Sequence, residues 1–74
     1  MRMTAREFIK AKGGPAAVAQ ATGHKPGAVS LWGFRNKLPR SAWPEIMGAF
    51  NVSLDDMKAI EARSAKVEAQ ASAA

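Results

Sequence analysis

This chain has no cysteine, one histidine, and six acidic residues against eleven lysines and arginines. Without cysteine, neither disulfides nor thiolate-held metals can support the fold, a composition that suits a reducing cytoplasm. A single histidine is too few ligands for a zinc site, so no metal and no cofactor are expected. No apolar run approaches the roughly 20 residues needed to span a bilayer. Met1-Arg2-Met3-Thr4 leads into a helix and not into the apolar core of a secretory leader, so the expectation is a soluble cytoplasmic protein. Catalytic signatures are missing as well. There is no G-x-S-x-G and no H-E-x-x-H, and Gly13-Gly14 is not followed by the Lys-Ser/Thr of a phosphate-cradling loop. Serine, histidine and aspartate occur, but no spacing gathers them, and no enzymatic activity is expected.

What is present is positive charge, unevenly spread. Residues 1–44 hold eight basic residues (Arg2, Arg6, Lys10, Lys12, Lys25, Arg35, Lys37, Arg40) and one acid, Glu7, for a net +7. Residues 45–74 hold three basic and five acidic residues, for a net −2. Such asymmetry favours a polyanionic partner for the first half. A basic membrane-surface helix fits less well, because the cations are spread over several helices and turns and do not line one amphipathic face.

Seventy-four residues give room for one domain, and a chain of this size buries only about 60% of its unfolded surface. Five short helices are predicted. Thr4 and Glu7 form a T-x-x-E capping box at the start of the first, Ala5 to Lys12, with Ala5, Phe8 and Ile9 inward and Gly13-Gly14 as its stop. The second runs from Pro15 to about Thr22 and the third from Pro26 to Phe34 or Arg35, each opened by a first-turn proline. Gly33 weakens the end of the third. Asn36 to Arg40 reads as a turn, since Pro39 disfavours helix at Leu38. The fourth helix spans about Ala42 to Phe50. Ser53 and Asp56 open a fifth, with Leu54, Met57 and Ile60 on one face. The Ala-rich segment 65–74 is expected to fray and then become disordered from about Val67, leaving 1–64 as the folded domain.

The most informative stretch is Val18 to Trp32, V-A-x-x-x-G-x-x-x-x-x-V-x-x-W. Ala19 falls where two helices would cross, and Gly23 falls where a positive φ turns the chain sharply. Val29 and Trp32 fall where the next helix packs back. This is the spacing of a helix-turn-helix, which lifts its second helix clear of the body. The residues Gly13-Gly14, Val29-Ser30-x-Trp32, Leu38-Pro39-Arg40 and Trp43-Pro44-Glu45-Ile46 extend the pattern. Over roughly residues 4–64 the chain resembles the Cro/phage-repressor helix-turn-helix family, in particular its compact Cro-like members. The resemblance implies an all-α, five-helix, lambda-repressor/Cro-like domain that binds double-stranded DNA as a transcription regulator, usually dimeric and usually a repressor. The chain departs from the family in opening the third helix with Lys25-Pro26 where Ser or Thr is common. It also carries Gly27, Ser30 and Leu31 where Gln, Asn or Arg usually read bases.

The candidate DNA-binding residues are Lys25, Pro26, Gly27, Ser30, Leu31, Arg35, Asn36, Lys37 and Arg40. Lys25 and Pro26 open the third helix, whose free N–H groups and partial positive charge suit a phosphate; a solvated turn lysine is the alternative. Gly27 would let the backbone approach DNA, and Ser30 can bond a base edge or a phosphate. Leu31 would touch a thymine methyl, or be an ordinary surface leucine. Arg35, Asn36, Lys37 and Arg40 would clamp phosphates, with Arg35 or Asn36 reaching a base, or form a solvated basic loop. With few long side chains in Pro26–Leu31, specificity would draw on these flanks, on DNA shape or on bridging water. His24 is either a packed turn residue or a phosphate contact. The expected core is Phe8, Ile9, Val18, Ala19, Val29, Trp32, Ile46 and Phe50, while Trp43 either caps the core beside Leu38 or lies at an interface.

One recognition helix per domain favours a homodimer on an inverted repeat, acting at the nucleoid. Leu54, Met57 and Ile60, with Val52, form the candidate dimer face, unless that face closes the monomer core. The alternative function is a protein-interaction adaptor or antitoxin-like module that uses the fifth helix on the same fold. RNA binding ranks lower, for want of interleaved aromatics.

Overall fold

A computed structural model describes residues 3–73, with side chains through residue 69. Arg2, counted above in the basic half, and Ala74 lie outside the described residues. Those residues form α1 (Ala5–Ala11), α2 (Pro15–Thr22), α3 (Pro26–Arg35), a 3-10 turn (Arg40–Ala42), α4 (Trp43–Phe50) and α5 (Leu54–Ala73), with no strand among them. None of these helices is long and apolar enough to cross a membrane.

Capping residues set the helix boundaries. At α1 every backbone donor that the first turn leaves free finds a side-chain acceptor. The Thr4 and Glu7 N–H groups donate to Glu7 Oε1 (2.9 Å) and Thr4 Oγ1 (3.2 Å), the reciprocal box that the sequence predicts. The Ala5 N–H donates to Ser64 Oγ on α5 at 2.7 Å, and the Arg6 N–H donates to Asn36 Oδ1 at the end of α3 at 2.9 Å. Thr4, Ser64 and Asn36 are all buried. The start of α1 is therefore a polar hub joining three helices, and only its local half was readable from the sequence.

Two glycines carry turns that other residues would strain. Gly23 ends α2 at φ +80°, with its N–H on the Ala19 carbonyl at 2.9 Å. Gly13, at φ +103°, lies so close to α2 that a Cβ there would stand 2.9 Å from the Ala17 Cβ. Gly33 neither ends nor frays α3, which continues to Arg35.

The core draws Phe8 and Ile9 from α1, Val18 and Ala19 from α2, Val29 and Trp32 from α3, Trp43 and Ile46 from α4, and Met57 and Ile60 from α5. Phe50, expected inside, is half-buried and meets Phe8 edge-on at 5.7 Å. Trp43 is buried, and its Nε1–H donates to the Leu38 carbonyl at 3.1 Å, so it caps the core beside Leu38. Met57 and Ile60 are each 1% exposed, and Val52 is buried. This corrects the dimer-face reading: that side of α5 closes the monomer core, and only Leu54, 49% exposed, remains available on it. Where the sequence suggests a frayed tail from about Val67, α5 continues as helix to Ala73. The physical reason is anchorage the sequence hides, namely the buried Ser64 bond, a half-buried Val67 and an Arg6–Glu68 ion pair at 3.9 Å.

Candidate nucleic-acid interface

Of all helix pairs, α2 and α3 share the most extensive contact. Ala19 on α2 is buried, 2% exposed. With Val29 and Trp32 fixed inward, helical periodicity turns Gly27, Ser30, Leu31 and Phe34 outward within an arc of about 100°. All four are exposed, as are Lys25 and Pro26 at the start of the helix. No side chain caps that start, and a Cβ built on Gly27 would meet only open space. Sequence reasoning missed one member of this face. Phe34 is 82% exposed, the most exposed large apolar residue described. The signal was available, since Phe34 lies three residues beyond Leu31 and seven beyond Gly27.

The cations around α3 divide into those without an ion pair and those held by one. Lys25, Arg35 and Lys37 are exposed and make no ion pair among the described residues. Arg35 and Lys37 stand with Ala28, Leu31, Trp32 and Pro39 around a groove of about 270 Å³. Neither α2 nor α3 carries an acidic residue.

Arg40 does not belong with these free cations. Its Nε and Nη2 donate to Glu61 Oε2 and Oε1 at 3.1 and 2.7 Å, and its guanidinium lies 5.0 Å above the Trp43 ring. The hydrogen bond from Arg40 holds the Glu61 carboxyl below its usual range, despite an opposing effect of burial, and it raises Arg40 in turn. Arg40 is exposed but already matched by an α5 carboxylate.

Asn36 requires a clear correction. It is 2% exposed, sits at φ +54°, and gives its Oδ1 to the Arg6 N–H. With Asn36 left-handed, the Lys37 N–H returns to the Trp32 carbonyl at 3.0 Å and closes α3. Asn36 thus positions the helix, with its Oδ1 committed to α1. Arg6 is likewise engaged, with Nε and Nη2 on the Gly33 and Phe34 carbonyls at 3.0 and 3.3 Å, where a cation also complements the helix C-terminus.

His24 packs its ring edgewise on Trp32, with centroids 5.0 Å apart, and its buried Nε2 has no hydrogen-bond partner. It is a packed turn residue that braces the α2–α3 connection. Compared with known protein families, characterised proteins and solved structures, the chain matches none of them.

Proposed function

We propose that this chain is a sequence-preferring regulator of transcription, a repressor, that binds double-stranded DNA. In this reading α2 and α3 act as a Cro-like helix-turn-helix and α3 enters the major groove. One observation carries it. The outward face of α3 is exposed in an acid-free pair of helices and is flanked by Lys25, Arg35 and Lys37, which make no ion pair among the described residues, while its inward face is fixed by Val29 and Trp32. Backbone phosphates meet the cations, and the open start of α3 offers N–H groups and partial positive charge to one more. The chemistry is binding alone, with no catalytic residue and no cofactor, and the place of action is the nucleoid.

The test is duplex affinity against salt. Each phosphate neutralised contributes about −0.9 to the slope of log affinity against log salt, so three free cations imply a slope of about −3 per copy. A flat plot overturns the proposal. The adaptor or antitoxin reading has lost the surface first assigned to it, because Met57 and Ile60 are buried. The exposed Phe34 is what still favours it, and salt-independent capture by a protein with no affinity for duplex DNA would be its signature.

A further inference from the structure

The outer arc of α3 has an unusual composition for a face that meets bases. Gly27 has no side chain, and Ser30 offers one hydroxyl that both donates and accepts, so neither discriminates strongly between bases. The bulk of the face is Leu31 and Phe34, 43% and 82% exposed. The structure does not use the Phe34 side chain internally: the ring is absent from the packed core, and beyond the bonds of α3 itself the residue gives only its carbonyl, to Arg6. A large apolar ring held in water has no stabilising role in the monomer.

Resting on the DNA-binding reading above, we infer that Leu31 and Phe34 read the 5-methyl groups of thymines in the major groove. The thymine methyl is the apolar feature that distinguishes base edges there. Burying it against an apolar side chain removes water from both. The cations around the patch argue for this occupant over a protein. Lys25 stands at one end of α3, and Arg35 and Lys37 stand at the other beside the groove bordered by Leu31. An apolar patch rimmed by unpaired cations is complementary to a groove that presents methyls between two rows of phosphates. Residues three apart on a helix have Cβ atoms about 5–6 Å apart, and successive base pairs rise about 3.4 Å. The two side chains therefore meet thymines one or two base pairs apart.

The position of Arg6 fits this role. Its guanidinium binds the Gly33 and Phe34 carbonyls, and Asn36 closes the helix immediately after, so the last turn of α3 is held rigid beneath an exposed ring. Unanchored, that turn would fray and leave Phe34 without a fixed direction.

The experiment uses the full chain and a duplex selected from a random library, with each thymine of the selected site replaced singly by deoxyuridine. Loss of one contacted methyl is expected to weaken binding about fourfold, at two positions one or two base pairs apart and nowhere else. Phe34→Ala should erase the deoxyuridine penalty at one of them and Leu31→Ala at the other, with helical circular dichroism unchanged. Equal affinity for thymine and deoxyuridine duplexes, with salt-sensitive binding intact, overturns the methyl reading and leaves DNA binding standing. Failure to bind any duplex overturns both. If Phe34→Ala changes self-association or protein capture while DNA affinity and the deoxyuridine penalty stay as they were, Phe34 is a protein contact and the assignment is wrong.

Discussion

Asn36 does two things at once: it adopts a left-handed backbone, and its side chain accepts the Arg6 N–H at the start of α1. Two substitutions separate these roles. Asn36→Gly keeps the backbone free but leaves a part-buried donor, the Arg6 N–H, unpaired, a loss of about 1 kcal/mol. Asn36→Ala adds the left-handed penalty of about 1–2 kcal/mol. Denaturant midpoints should therefore fall in the order wild type, glycine, alanine. Equal midpoints for glycine and wild type would show that the Arg6 bond contributes nothing. DNA affinity should follow folded fraction alone, because Asn36 is buried. From sequence, an asparagine between Arg35 and Lys37 looks like part of a basic loop, and nothing local marks it as buried. Its partner is 30 residues away. The Arg40–Glu61 pair hides in the same way, across 21 residues. Glu61 and Glu7 both titrate lower in the folded chain than unfolded, Glu61 through Arg40 and Glu7 through Thr4. Their stabilisation is thus complete above the usual carboxylate range and is lost as pH falls through the folded values. Glu7 is exposed and Glu61 only partly buried, so acid should lower stability gradually and without a sharp step. Glu61→Gln should barely change stability at neutral pH, yet free Arg40 for DNA and steepen the salt slope by about 0.9. An unchanged slope would mean that Arg40 lies off the DNA path.

Five helices were legible because their signals are local. Thr4-x-x-Glu7 marks a start, Pro15 and Pro26 mark two more, and Gly23 marks a turn, each by the backbone chemistry of a single residue. The inward faces followed from helical period, as with Val18 and Ala19 against Val29 and Trp32. The length of α5 was not legible. Its second half is Ala-rich, and its anchors, Ser64 to Ala5 and Glu68 to Arg6, reach back to α1. The face of α5 was equally ambiguous, because Leu54, Met57 and Ile60 would show the same spacing whether they met a partner or a core. Burial decides for the core, which changes what Met57→Asp should do. A carboxylate placed at a site 1% exposed must lose its water or expel the helix. The variant should lose helical circular dichroism instead of yielding a folded monomer. A folded Met57→Asp protein would show that α5 is not part of the core. Ala19→Leu tests the other helix pair. Ala19 is buried on α2, the helix in most extensive contact with α3, and overpacking a buried site costs about 1–3 kcal/mol. That is a large share of a small domain's stability. Retention of the wild-type melting temperature would mean that the α2–α3 contact has slack.

For the molecule as a whole, the limiting quantity is the number of cations beside α3 that make no ion pair. Arg6 and Arg40 are engaged inside the fold, so the proposed interface rests on Lys25, Arg35 and Lys37. Under the proposal, three phosphate contacts and one short apolar face would give a single copy modest affinity. A second copy on an inverted repeat doubles both and fixes a half-site spacing of about 10–10.5 base pairs. Because Met57 and Ile60 are taken up by the core, the apolar residue left on that side for a partner is Leu54, in the first turn of α5. Leu54 lies next to Asp55 and Asp56 in the first turn of α5, on a different helix from the cations of α3. The expected result is that a duplex with one half-site gives about half the salt slope of a duplex with the full repeat. Leu54→Asp, at a half-exposed position, should keep its circular dichroism and its half-site affinity while losing the doubling on the full repeat. Sedimentation of the variant on the full repeat should then give two copies binding independently. If wild-type protein already shows equal slopes on the two duplexes, it binds DNA as a monomer, and specificity must come from α3 alone.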